Sequence, residues 1–250
     1  MKAESAKKFA SIVLFALLCW VFPIVTQAYA NKVPNRSLTG LTVDADGVAM
    51  DEGTVAAGLK EALCLAIDQS LRKCGNEGGF SSNAKLSIVF PLGISSIASG
   101  SCNVQVWDNL KLLEKQMNTV AEMASSAAAP TFYAAVQQLD FPFGIEVLRG
   151  DNNAATTYVR DRAYAVIKLE ISSLVRRKMV EAGLYQDFCN FVQVFKLESK
   201  SNHISYNDVH AHITERTMEG LFATLEYYEN IMSVAPEELP TATLRRLFAH

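Results

Sequence analysis

From Val55 through Leu59, Leu63 and Ile67 to Leu71, an apolar side chain recurs at every fourth residue. From Val106 through Leu110, Leu113, Met117, Val120 and Ala124 to Ala127, the steps are threes and fours. A period near 3.6 gathers such residues into one stripe of an α-helix, whereas a strand would scatter them over both its faces. A helix with one oily stripe must bury it against another element. Two stripes of this length therefore commit the chain to helices packed on helices. Further stripes follow: Tyr158, Val159, Val166, Ile167 and Leu174, then Leu184, Phe188, Phe191 and Phe195, then Ile213, Leu221, Leu225 and Tyr228. The expected fold is all-α, a single-domain bundle of about seven to eight helices.

Punctuation marks the ends of these helices. Acids near Asp51 open the first, Arg72 and Lys73 close it, and Gly75 reads as its stop. Pro130 ends one helix and starts "PTFYAAVQQL". The tripeptide Arg149-Gly150-Asp151 reads as a joint rather than an adhesion signal, with Gly150 in a left-handed closing position and Asp151 as the next N-cap. Arg160, Arg162, Arg176 and Arg177 fall to the solvated face of the helix that follows. Ser205 or Asp208 caps a later helix, and Leu244, Leu247 and Phe248 dock a short last one. One extended segment is expected near 86–90, where Leu86, Ile88 and Phe90 alternate until Pro91, without partner strands to make a sheet.

The first thirty residues read as an export signal: Lys2, Lys7 and Lys8, an apolar run from Phe9 to Val25, then Ala28-Tyr29-Ala30. The run is short for a membrane anchor and holds Pro23, and Cys19 follows bulky Leu17 and Leu18 where lipidation needs small residues. Cleavage after Ala30 would leave a flexible lead-in at 31–50, a helical domain at 51–250 and a periplasmic or secreted protein with no membrane span. The mature chain would keep 20 basic and 25 acidic side chains. Mild acidity without a basic face speaks against nucleic acid as a partner. Cys64, Cys74, Cys102 and Cys189 would remain as candidate disulfide cysteines. Cys64 and Cys74 share a helix about 15 Å apart along its axis, too far to pair. Free buried thiols are the equal alternative.

Signatures of known chemistry are missing. His210 and His212 stand two apart and point to different faces once helical, so with His203 and Asp208 they make a poor metal site, and no metal is expected. There is no CxxC, no GxSxG and no Walker spacing. No cofactor is expected. Polar residues beside the stripes make the candidate interhelical site: Glu61, Asn118 and Glu122 (the last two four apart on one face), Thr156 and Tyr158. Interhelical hydrogen bonding and capping is the plainer account of them.

"GLKEAL" at 58–63, "GGF" at 78–80, "IVFPL" at 88–92, "MNTVAEMA" at 117–124, "APTF" at 129–132, "IEVLRG" at 145–150, "AATTY" at 154–158 and "EGLF" at 219–222 occur in this order. Together they resemble the domain-of-unknown-function family DUF4197. The resemblance implies an exported, mostly helical bacterial protein and carries no activity with it. The chain departs from the family pattern at Asp208 to Thr214 and in "EYYENIMS", where Tyr227 and Tyr228 replace acids, and its cysteines lie outside that pattern. The leading functional expectation is a non-enzymatic binding or structural protein of the cell envelope, its partner an envelope protein or a small molecule. The alternatives are a hydrolase using Glu61 or Glu122 as general base, and a periplasmic carrier of an apolar or lipid-like molecule.

Overall fold

Asp51 opens the first helix as the acids around it suggest: its carboxylate accepts from Thr54 N at 2.7 Å. The computed structural model describes residues 42–43, 49–90, 104–141, 144–148, 150–198 and 205–249. Among them are eight α-helices: α1 Glu52–Gly75, α2 Val104–Ser126, α3 Ala129–Gln138, α4 Gly144–Leu148, α5 Ala154–Glu181, α6 Leu184–Glu198, α7 Tyr206–Val234 and α8 Ala242–Phe248. A 3₁₀ turn, Pro236–Glu238, joins α7 to α8. Ahead of α1, inside the stretch expected to be a flexible lead-in, β1 (Thr42–Val43) pairs antiparallel with β2 (Ala49–Met50). The expected export signal and Cys102 lie outside the described residues, as do His203 and Arg149. No described helix is long and apolar enough to cross a membrane.

The apolar stripes are the core. Val55, Leu59, Leu63 and Ile67 of α1 are buried, as are Val106, Leu113, Met117, Val120 and Ala124 of α2. Each fully buried large aliphatic contributes about 2 kcal/mol. Helix α7 is the hub, packing most extensively on α5 and α1. Its start is a capping box: Ser205 Oγ accepts from Asp208 N, and the Asp208 carboxylate accepts from Ser205 N. Leu244, Leu247 and Phe248 of α8 are buried, with Leu247 against Gly58 of α1.

Three glycine and cap assignments are corrected. Gly75 is the last residue of α1, not a left-handed stop; the chain turns through Asn76, and the positive φ of +81° falls at Gly78. Gly75 is there for closeness instead, because a Cβ would lie 2.9 Å from the Cα and N of Ser126 in α2. Gly75→Ala is therefore expected to cost about 2 kcal/mol by forcing two backbones apart, read as a lower urea midpoint at unchanged m-value. Gly150 does not take a positive φ; a left-handed glycine instead follows the far end of α5, Gly183 at +69°. Asp151 does not cap α5 with its side chain. The helix begins at Ala154, and only the Asp151 carbonyl accepts, from Ala154 N at 2.8 Å.

Candidate functional site

The sequence-selected polar residues separate into distinct sets. Asn118 and Glu122 of α2 hold the segment that follows α1. Asn118 Oδ1 accepts from Ile88 N at 2.9 Å and its Nδ2 donates to Ile88 O at 2.8 Å, as a neighbouring strand would. One turn away on either side, Glu114 accepts from Phe90 N, and Glu122 accepts from Phe80 N, Ser81 N and Ser81 Oγ. His212 of α7 reaches the same segment, its Nε2 lying 2.8 Å from Val89 O. The extended stretch near 86–90 thus meets no strand among the described residues; from Ile88 to Phe90 side chains of two helices bond its backbone, while Leu86 N and Ser87 N donate to Asn83 O. Phe80, so placed, packs so closely on Gly220 of α7 that a Cβ there would approach its ring to 2.7 Å.

Thr156 and Tyr158 belong to the start of α5. The buried carboxylate of Glu229, from α7, accepts from Ala155 N and Thr156 N, each at 2.8 Å, and so supplies the cap that Asp151 and Asn153 do not. Burial pushes the Glu229 carboxyl above its ordinary range, against the lowering effect of the Thr156 and Ala155 donors. The Thr156 hydroxyl is buried beside it without a well-aligned partner. Tyr158 Oη donates to Asp140 O at 2.6 Å and its ring packs on Phe141, tying the α3–α4 link to α5.

Glu61 is half-buried on α1, one turn before Cys64. Further along that helix, Asp68 accepts a hydrogen bond from Tyr133 of α3, which pushes the phenol up to about 12. Burial, with Asp68 and Glu61 nearby, also raises the Cys64 thiol. Both groups hold their protons, the reverse of an activated nucleophile. Among the described residues Cys64, Cys74 and Cys189 are free thiols. Cys74 is buried, its sulfur 3.3 Å from Thr224 Oγ1. His210 and His212 take separate partners, as their spacing requires: His210 Nε2 lies 2.9 Å from Ser172 O on α5, whereas His212 Nε2 meets Val89 O.

A further constellation, unread in the sequence, lies between α5 and α7. Residues ascending α5 meet residues descending α7: Thr156 with Glu229, Arg160 with Glu226, Lys168 with Glu215 and Ser172 with His210. The helices are therefore antiparallel, with cations on the α5 wall and carboxylates on the α7 wall. Between the two cross-helix ion pairs opens a groove of about 380 Å³ lined by Arg160, Tyr164, Met218, Glu219 and Phe222. The Arg160 guanidinium lies 5.0 Å from the Phe222 ring centre and bonds Glu226 at 2.7 Å. Tyr164 stacks tilted on Phe222 at 5.6 Å and donates to Glu215 at 3.0 Å. The bond from Lys168 holds the Glu215 carboxyl below its ordinary range.

A family model described as "Protein of unknown function (DUF4197)" matches residues 49–249. The chain belongs to the DUF4197 family. The match begins at the strand pair before α1 and runs through α8, so the DUF4197 unit includes the α2-bound segment, the Glu229 cap and the α5–α7 groove. No curated protein and no solved structure matches the chain. What this DUF4197 chain does is consequently a question for the geometry. Glu122, one of the two carboxylates expected as a general base, takes three donors from residues 80–81 on a single oxygen, Oε1. The interstice among Ile67, Ser70, Phe132 and Leu225 admits no water molecule, still less an apolar cargo.

Proposed function

We propose that the protein is a non-enzymatic binding module of the cell envelope, which engages a polypeptide partner at the α5–α7 groove. One observation carries this reading: a groove whose open lining is Tyr164, Arg160 and Glu219, laid over the buried Met218 and Phe222 and flanked at both ends by ion pairs. Aromatic side chains, Met and Arg are the types enriched where protein interfaces bind most strongly, and a polar ring that excludes water is the usual setting of such a spot. The opening suits one planar or amphipathic side chain laid against Tyr164 and Arg160. Charged neighbours of that side chain would exchange with ion pairs already in place, Arg160 with Glu226, Lys168 with Glu215 and Arg216 with Glu219. The leader-like first thirty residues support placement outside the cytoplasm.

A photo-reactive amino acid in place of Glu219, irradiated in intact cells, tests the reading. The expected outcome is one adduct of discrete mass that disappears when Arg160→Glu is added. A matching substitution at Leu112, 43% exposed on α2, should give no such band. The same adduct from both positions, or an adduct indifferent to Arg160→Glu, would exclude the groove as the binding surface.

A further inference from the structure

The charges around the α5–α7 groove are closed among themselves. Arg160 pairs with Glu226, Lys168 with Glu215 and Arg216 with Glu219. A carboxylate entering the groove would have to take Arg160 from Glu226, and would then lie beside Glu219 and Glu226. A cation entering would have to take an acid from its present partner, and would meet Arg160. Either exchange loses one ion pair for each that it forms. An uncharged ring breaks none of them. Arg160 offers such a ring a fixed platform, because one side of its guanidinium rests over Phe222, 5.0 Å from the ring centre, and Glu226 holds it at 2.7 Å. Its side chain is nevertheless 44% exposed and lines the opening, so the side away from Phe222 is open to a second ring. Tyr164, next to it in the lining, is held by its bond to Glu215 and by its packing on Phe222. Both groups are ordered before a ligand arrives, which removes the entropy cost that an unrestrained arginine brings to a cation–π contact.

We propose that the groove takes an aromatic side chain of its partner, stacked on the outer side of the Arg160 guanidinium, so that the arginine lies between Phe222 and the incoming ring. The proposal rests on the reading of the groove as the binding surface and adds what the partner presents there: an exposed Trp, Tyr or Phe, in preference to a charged or an aliphatic residue. Arginine suits this role because its planar cation has two faces, one for each ring, where a lysine ammonium has none.

Capped single amino acids test this on the purified protein. N-acetyltryptophanamide is titrated while nuclear magnetic resonance follows the Nε–H groups of the arginine side chains. The expected result is a saturable upfield movement of Arg160 Hε, the mark of a ring stacked on the guanidinium, with a dissociation constant on the order of 1 mM. The signal of Arg177, exposed on α5 away from the groove lining, should stay still. The leucine counterpart should bind about threefold more weakly or worse. Arg160→Lys keeps the charge and loses the planar face, so it should weaken the tryptophan probe by a similar factor, read from the Tyr164 ring signals. An Arg160 signal indifferent to the tryptophan probe overturns the proposal. So does a leucine, aspartate or arginine counterpart that binds as tightly, or binding that Arg160→Lys leaves unchanged. The two readings fail separately: a Glu219 adduct without the ring-current shift strikes the aromatic insert alone, and the shift without an adduct strikes the polypeptide partner alone.

Discussion

Asn118→Ala is expected to lower stability by roughly 3–5 kcal/mol, among the larger effects a single polar truncation produces. The amide makes three hydrogen bonds, to Ile88 N, Ile88 O and Glu114 O, and is itself buried. Ile88 is wholly buried, so its N–H and C=O cannot turn to water when the amide goes. Each then carries the desolvation cost of an unmade bond, about 1–3 kcal/mol. The variant Asn118→Asp separates this account from simple cavity formation. Its carboxylate can still accept from Ile88 N but faces the Ile88 and Glu114 carbonyls without a proton to give, so it should be destabilised at neutral pH and recover as acid restores the donor. Urea titrations at pH 7 and near pH 4 would show both effects. A residue kept for binding at a cost to stability would behave in the opposite way, Asn118→Ala melting at or above the parent temperature.

The same residue shows where the sequence is legible. Its place on α2, next to the Met117 and Ala121 stripe, follows from spacing alone, and so do the helix itself and its neighbours. What spacing does not carry is the partner: Ile88 lies 30 positions earlier, and nothing local distinguishes a backbone amide that needs a side-chain acceptor from one bonded within a helix. The assignment of Gly75 as a stop failed for a related reason. A glycine needed for close approach to Ser126 looks, in one dimension, like a glycine needed for φ. Arg160 does stand on a solvated face, its side chain 44% exposed, but a helix read alone shows nothing of α7. The carboxylate and the aromatic platform of Arg160, Glu226 and Phe222, are both some sixty residues away. Glu229 did leave a signal. Met218, Phe222, Leu225 and Met232 are buried at steps of four, three and seven, and Glu229 falls in that series where an apolar residue belongs. A charge in a core register marks a buried partner, here the open N-terminus of α5.

Glu229→Ala should accordingly cost about 2–4 kcal/mol, because it strips the N–H groups of Ala155 and Thr156 of their acceptor in a site closed to water. No local residue can replace it, since Asn153 makes no side-chain cap and Asp151 is committed through its carbonyl. Glu229→Gln resolves the two opposing effects on this group. Its amide oxygen keeps one of the two N–H bonds, but its NH₂ confronts the other N–H. Against that loss, it removes the penalty of ionising a buried acid. The folded-state pKa of Glu229 lies above the unfolded value, so the parent draws its full benefit from this group below the unfolded carboxylate range. It loses that benefit as pH rises through the folded pKa. Glutamine does not titrate. Relative to Glu229→Gln, the parent should be most stable in acid and should lose ground steadily as pH rises toward neutrality, while Glu229→Ala stays below both throughout. Paired thermal melts of the three proteins from pH 4 to pH 7.5 measure this. A parent that instead gains on Glu229→Gln with rising pH would mean that the two N–H bonds and the α5 dipole outweigh burial, and that the carboxyl is held ionised in the fold.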